Sequence, residues 1–294
     1  MKEVSDESMR SGDQTEAPEA ESIVEFDNPP VAEVVLSVAF EPLQGLTLAK
    51  LVQSWQQHFA EKFPESEEQP RLQPPIERFG PDRLGPGLRF EFGGTLPTSR
   101  LWFLDKKEGT NLLQVQNDWF ARNWRKQESA EYIRYKTLRA AFADEFSTFR
   151  DFVIHEGIGT LMPTQCEITY IDHIEPNEYW SSHEDARKVF RILNLATDRF
   201  LPTSPEDCRF AMSFVIPGDA EQPIGRLHIN AQPAFRKTDD QPIFVVNTTA
   251  RGAPADDSLD GILHFLDHGH EWAVNGFLDV TTDEMHTAWG IRDD

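Results

Sequence analysis

The run QVQNDWFARNWRK, residues 114–126, gathers Phe120, Arg122, Trp124, Arg125 and Lys126 within seven positions. Nucleic-acid bases stack on aromatic rings, and arginine and lysine pair with phosphates, so this composition suits a single strand of nucleic acid. The same residue types also anchor protein interfaces, where tryptophan, tyrosine and arginine are enriched. Read as one continuous strand, the run alternates. Leu113, Val115, Trp119 and Ala121 fall on one side, and Gln114, Gln116, Asp118, Phe120, Arg122, Trp124 and Lys126 on the other. The first set suits a core and the second an exposed contact surface, which Tyr132 and Arg134 extend just past the strand end.

Carboxylates offer a second chemistry. Glu33 and Glu167 occupy matching places in VAEVVLSVAFEP (31–42) and QCEITYIDHIEP (165–176), two stretches that align at an offset of 134. If a twofold relation brought them together on an open face, paired carboxylates could split their pKa values and do acid–base work. Two solvated strand residues are the simpler expectation. His264, His268 and Glu271 share a helix face, but the glutamate lies outside the histidine pair, so the zinc motif H-E-x-x-H is not met. His270 falls in the core stripe of the same helix, as a buried histidine rather than a base. Cys166 and His173 are seven apart on an expected strand and so point to opposite faces, which leaves Cys166 as a core residue rather than a nucleophile. The chain has no G-x-S-x-G, P-loop or G-x-G-x-x-G. The residues therefore propose no reaction, no metal and no cofactor, and the balance leans away from an enzyme.

Charge limits the partners. The 294 residues carry a formal net charge of −22, and nine acids stand against two bases in residues 1–27 alone. Such a body repels polyphosphate at long range and lowers the expectation of nucleic-acid binding, although local basic patches still act within about 8 Å. Residues 1–22 have almost no large apolar side chain and are expected to form a disordered acidic tail. Twenty-one phenylalanines supply ample material for a core. No stretch approaches a membrane span, the acidic N-terminus is unlike a secretory signal, and two cysteines make no disulfide framework, so a cytoplasmic setting is expected.

The elements that must position these residues follow a repeated order. VAEVVLSVAF reads as a strand, and Thr47 is a plausible N-cap for a helix over 47–60. Six prolines in 64–87 predict an extended loop. LRFEF, RLWFL and LLQVQNDWFARNW read as three strands, and a stripe from Tyr135 to Val153 predicts a long helix. The order then restarts with QCEITYIDHIEP, a helix over 182–195, the strands RFAMSFVI, RLHINA and PIFVVNTTA, and a helix from about Leu259. The expectation is an α+β fold: duplicated β-α-β-β-β-α units, residues 23–158 and 159–294, joined in a largely antiparallel sheet with helices on one face. Two separate α+β domains are the alternative.

NPPVAEVVLSVAFEPL (28–43), QNDWFARNWRK with YIRYKTL (116–126 and 132–138), QCEITYIDHI (165–174) and HEWAVNGFLDVTTDEMHTAWG (270–290) together resemble a family of sporadically distributed, functionally uncharacterised bacterial proteins. That resemblance implies an accessory role, in defence or on mobile elements, and transfers no catalytic residue. Three functions therefore compete: an adaptor holding a protein partner on an open sheet face, a nucleic-acid binder through 114–126, and a hydrolase or nuclease built on open-face carboxylates.

Overall fold

A computed structural model describes residues 23–79, 99–105, 109–127, 131–193, 200–201, 204–218 and 222–292. The expected tail 1–22 and the expected strand LRFEF (88–92) lie outside them. Eleven strands are described: β1 (Glu25–Phe26), β2 (Val31–Phe40), β3 (Glu65–Gln69), β4 (Arg100–Leu104), β5 (Asn111–Gln116), β6 (Trp119–Arg125), β7 (Pro163–Ile174), β8 (Phe210–Pro217), β9 (Pro223–Phe235), β10 (Pro242–Gly252) and β11 (Ile291–Arg292). Five helices accompany them: α1 (Leu48–Ser54), α2 (Tyr135–His155), α3 (Ala186–Val189), α4 (Leu259–Val280) and α5 (Asp283–Trp289). None is long and apolar enough to cross a membrane among the described residues.

Nine strands form one antiparallel sheet in the order β3-β4-β5-β6-β2-β7-β10-β9-β8, and β1 pairs with β11 in a small second sheet. The fold is α+β. The central pair, β2 and β7, joins the strands of the first half to those of the second.

Alternation on that central pair sets the two faces. Val34, Leu36, Val38 and Phe40 of β2 are buried on one side with Cys166, Ile168, Tyr170 and Ile174 of β7. The helices cover this side. Phe142, Phe146 and Phe149 of α2 pack on Phe120, with ring centroids 5.4–5.9 Å apart. α4 lies across β7, β10 and β9. The stripe of α2 buries Leu138, Phe142, Phe146, Phe149 and Val153 as its spacing predicts. Thr47 caps α1, accepting a hydrogen bond from the backbone N–H of Lys50, and the helix runs on into a π-turn at Trp55–Phe59.

The structure corrects the assignment of faces along 114–126. The run is not one strand but a tight hairpin, β5 and β6 joined by the two residues Asn117 and Asp118. Two-residue hairpins of this kind are typical of Asn- and Asp-containing turns. In this register odd residues of β5 face even residues of β6, so Val115 opposes Phe120 and Leu113 opposes Arg122. Phe120, Arg122 and Trp124 therefore lie on the helix-covered face and are 0%, 3% and 2% exposed. They are core residues, not an exposed contact surface. Arg122 meets Glu145 of α2 at 3.5 Å inside the protein, and Trp124 packs edge-on against Tyr132.

Two smaller expectations also change. The proline-rich stretch begins with the edge strand β3, whose ESEEQ sequence has no apolar alternation because both its faces are largely exposed. Of the helix expected over 182–195, the described residues, which end at 193, form one 3₁₀ turn and the four-residue α3.

The burial of Phe120 generates a direct test. Phe120→Ala should lower the unfolding free energy by about 3–5 kcal/mol, the range for emptying a packed aromatic site. A surface position would change it by about 0.5 kcal/mol or less. Urea denaturation of the variant decides between the two.

Candidate functional site

The face of the sheet opposite the helices is polar and internally wired, and many of its side chains are buried. Trp102, Gln114, Asn123 and Glu33 lie on neighbouring strands, β4, β5, β6 and β2. Gln114 accepts hydrogen bonds from Arg100 (2.7 Å) and Trp102 (3.0 Å) and donates to Asn123 (2.8 Å). Asn123 donates to Glu33 at 2.6 Å, and Arg125 donates to the same carboxylate at 3.2 Å. On the other half of the sheet, Arg251 of β10 pairs with Glu167 at 2.5 Å, and the hydroxyls of Thr169 and Thr249 meet at 2.8 Å.

Glu33 and Glu167 share this face but do not form a catalytic pair. Glu167 stands opposite Ser37, whereas Glu33 stands opposite Ile171. They are four register positions apart, about 13 Å along the strands. Each carboxylate has its own arginine, so no shared-proton dyad forms. Lys126 is exposed at the end of β6, and its backbone N–H donates to Ala32.

Residues 70–79 lie across this face as a strap. The Gln116 side chain donates to the Leu72 carbonyl (2.9 Å) and accepts from the Leu72 N–H (3.1 Å). The Gln165 side chain holds the strap three and five residues further on, donating to the Pro75 carbonyl and accepting from the Glu77 N–H (2.6 Å). Arg71 pairs with Asp118 of the hairpin turn. Two side-chain amides thus read the strap's backbone, much as a neighbouring strand would.

The strap ends in an anion seat. Arg226 and His228 of β9 hold the Glu77 carboxylate, His228 at 2.9 Å, while Arg251 stands 3.8 Å away. Arg226 also donates to the Arg78 carbonyl and lies over the Phe79 ring at 4.4 Å. Burial works against the Glu77 charge, but the hydrogen bonds from His228 and Arg226 outweigh it and hold the carboxyl below its ordinary range.

A cavity of about 600 Å³ opens on the helix-covered side, at the end of the central strand pair. Its walls come from residues 23–31, from Tyr132 to Arg139 at the start of α2, from Tyr170 and Asp172 of β7, and from Asp267 to Phe277 of α4. A bulge at Ala32 shifts the β2–β7 register, so that Val31 faces Asp172. Such bulges re-aim side chains, and here Val31 turns to the cavity side. Gly269 brings α4 close to β7: an added Cβ there would stand 2.9 Å from Ile168. The neighbouring His270 then reaches Tyr170, Nδ1 to Oη 2.8 Å, and stacks on Tyr135 with centroids 3.9 Å apart. Burial drives the His270 value down to about 4, so the ring is neutral.

Asp172 is the exceptional group in this wall. It continues the buried row of Cys166, Ile168 and Tyr170, is 3% exposed, and its carboxyl meets no hydrogen-bond or ion-pair partner among the described residues. Burial alone pushes it up to about 8. Nearby charges are already matched: Arg139 grips Asp267 with two hydrogen bonds of 2.5 and 2.8 Å, and Arg134 pairs with Glu25 at 3.3 Å.

The structure therefore divides the seven residues of the expected contact surface three ways. Phe120, Arg122 and Trp124 are core, while Arg125 pairs with Glu33 on the open face and Lys126 is exposed just past the end of β6. Tyr132 and Arg134 line the cavity. Cys166 is fully buried, and burial raises its thiol well above the ordinary range. His268 faces Glu271 at 3.5 Å, and no group of three metal-type ligands occurs among the described residues. Sequence reading missed both Asp172 and the strap. The first had a signal, an acid at a core-parity position of β7; the second had none, because its partners lie far along the chain. No protein-family model, curated protein or solved structure matches the chain.

Asp172 makes stability depend on pH with a definite sign. Unfolded, an aspartate releases its proton near 3.9; folded, Asp172 keeps it up to about 8. The folded state binds the extra proton between these values, so this residue's contribution falls as pH rises through that window. Asp172→Asn removes the proton and keeps the shape. The stability of the variant relative to the native chain should rise steadily from about pH 4 to about pH 8, as read by urea unfolding at fixed ionic strength. A pH-independent difference would contradict the burial of an unpaired acid.

Proposed function

We propose that the protein is a non-enzymatic binding protein whose open sheet face holds an extended segment of a protein partner that carries one carboxylate. The observation that carries this reading is the seating of residues 70–79. Gln116 and Gln165 take the strap through backbone groups that any extended peptide presents, and the Arg226–His228–Arg251 seat selects a carboxylate. Backbone recognition gives affinity without sequence, and a charged seat gives selectivity and register. The strap is the face's own ligand in cis, and a partner segment of the same chemistry would bind by replacing it.

The competing functions lose their anchors. Stacking of bases on Phe120 and Trp124 would require rings that are buried, Phe120 beneath α2 and Trp124 against Tyr132. Acid–base work by Glu33 and Glu167 would require carboxylates that are neither adjacent nor free of arginine.

The test separates the face from its strap. In a full-length variant with residues 71–79 replaced by a Gly-Ser linker, the labelled peptide RLQPPIERF should bind in trans, as followed by fluorescence anisotropy. Changing its glutamate to glutamine, or Arg226 of the protein to alanine, should weaken binding by about tenfold or more, the scale of a charge-assisted hydrogen bond. A well-folded variant that ignores the unmodified peptide, or binds it equally well without the carboxylate, would refute the proposal.

A further inference from the structure

The cavity beside Asp172 is built from groups that the open-face function does not use. It lies on the opposite side of the sheet from the strap, so it stands or falls independently. Its volume suits a small molecule, and its polar groups do not cancel. Arg139 is neutralised by Asp267 and Arg134 by Glu25, while Lys136 is exposed to solvent. What remains inside is one carboxyl with no partner. An isolated carboxylate is among the least favourable groups to bury, and the protein relieves it by keeping the proton.

We infer that this cavity binds an organic cation: a primary or secondary ammonium group carried on an apolar body, with the ammonium against Asp172. An ammonium supplies both the missing positive charge and the missing hydrogen-bond donors. Three tyrosines line the same cavity; Arg134 lies over one of their rings, Tyr132, at 5.6 Å, and His270 covers one face of Tyr135. Tyr132, Tyr135 and Tyr170 hold their hydroxyl protons, because burial raises all three above the ordinary tyrosine value. Neutral rings attract cations through their electron-rich faces. His270, stacked on Tyr135 and hydrogen-bonded to Tyr170, is also neutral and adds no positive charge that would repel the ligand. The apolar remainder, Phe26, Pro30 and Phe277 among it, accommodates the body.

The anionic alternative is weaker on the same observations. A carboxylate or phosphate ligand would need Arg134 or Arg139 to abandon its partner, and would enter beside an acid that already resists ionisation.

Calorimetric titration of the full chain provides the test. The probes are phenethylammonium and its homologues with longer alkyl tethers, each compared with the matching neutral alcohol and with the matching carboxylate. The ammonium series should bind at least tenfold more tightly than the alcohols at the same tether length. Asp172→Asn should abolish that preference, with folding checked by circular dichroism. Tyr132→Leu leaves the carboxyl in place and removes one ring; it should weaken ammonium binding several-fold, and it serves as the readout should the Asn variant fail to fold. The inference is overturned if no ammonium outbinds its alcohol, if the carboxylates bind best, or if both variants keep the native preference.

Discussion

The antiparallel pairing of β2 with β7 is the constraint on which everything else depends. It fuses the strands of both halves into one nine-stranded sheet, so that each half covers an edge the other would expose. Its register also fixes the chemistry. On one face it separates Glu33 from Glu167 and leaves each to its own arginine. On the other it lines up Val34, Leu36 and Val38 with Tyr170, Ile168 and Cys166 to seed the core beneath the helices. At one end the bulge at Ala32 interrupts the ladder, and there the cavity forms.

The two faces solve the problem of polarity in opposite ways. The open face keeps its charges by pairing them laterally, from Arg100 through Gln114 and Asn123 to Glu33, and by accepting the strap's backbone and carboxylate. On the helix face, burial makes Glu145 and Asp172 expensive to ionise. Glu145 meets Arg122 and also accepts from Lys62 at 2.5 Å, although burial still holds its carboxyl above the ordinary range. Asp172 has no such partner and simply retains its proton. A paired acid inside the core supports the packing around it. An unpaired acid in the wall of a cavity leaves a binding preference unspent.

Much of this fold is legible in the sequence, and the failures are local and physical. α2 and α4 announce themselves because their apolar residues repeat at helical spacing over five turns or more. The open-face positions of Glu33, Ser37, Glu167, Thr169 and His228 follow from simple alternation. Alternation misleads at Asn117–Asp118, where a two-residue turn exchanges odd for even and carries Phe120, Arg122 and Trp124 from the expected surface into the core. Those two residues are themselves turn formers, so the signal for the hairpin lies within the run itself. β3 escapes because an exposed edge strand needs no apolar pattern. The strap escapes because Gln116 lies 44 residues from Leu72 and Arg226 lies 149 from Glu77, distances over which local pattern carries no information.

The central claim is that the open face grips an extended segment through its backbone and one carboxylate. Amide hydrogen exchange at single-residue resolution reads this grip directly. The N–H groups of Leu72 and Glu77, which Gln116 and Gln165 accept, should exchange far more slowly than the rates of an unstructured peptide, and the Glu77 amide should lose that protection in Arg226→Ala together with Arg251→Ala. Exchange of both amides at unstructured rates in the native chain, or unchanged protection once the anion seat is removed, would contradict the account.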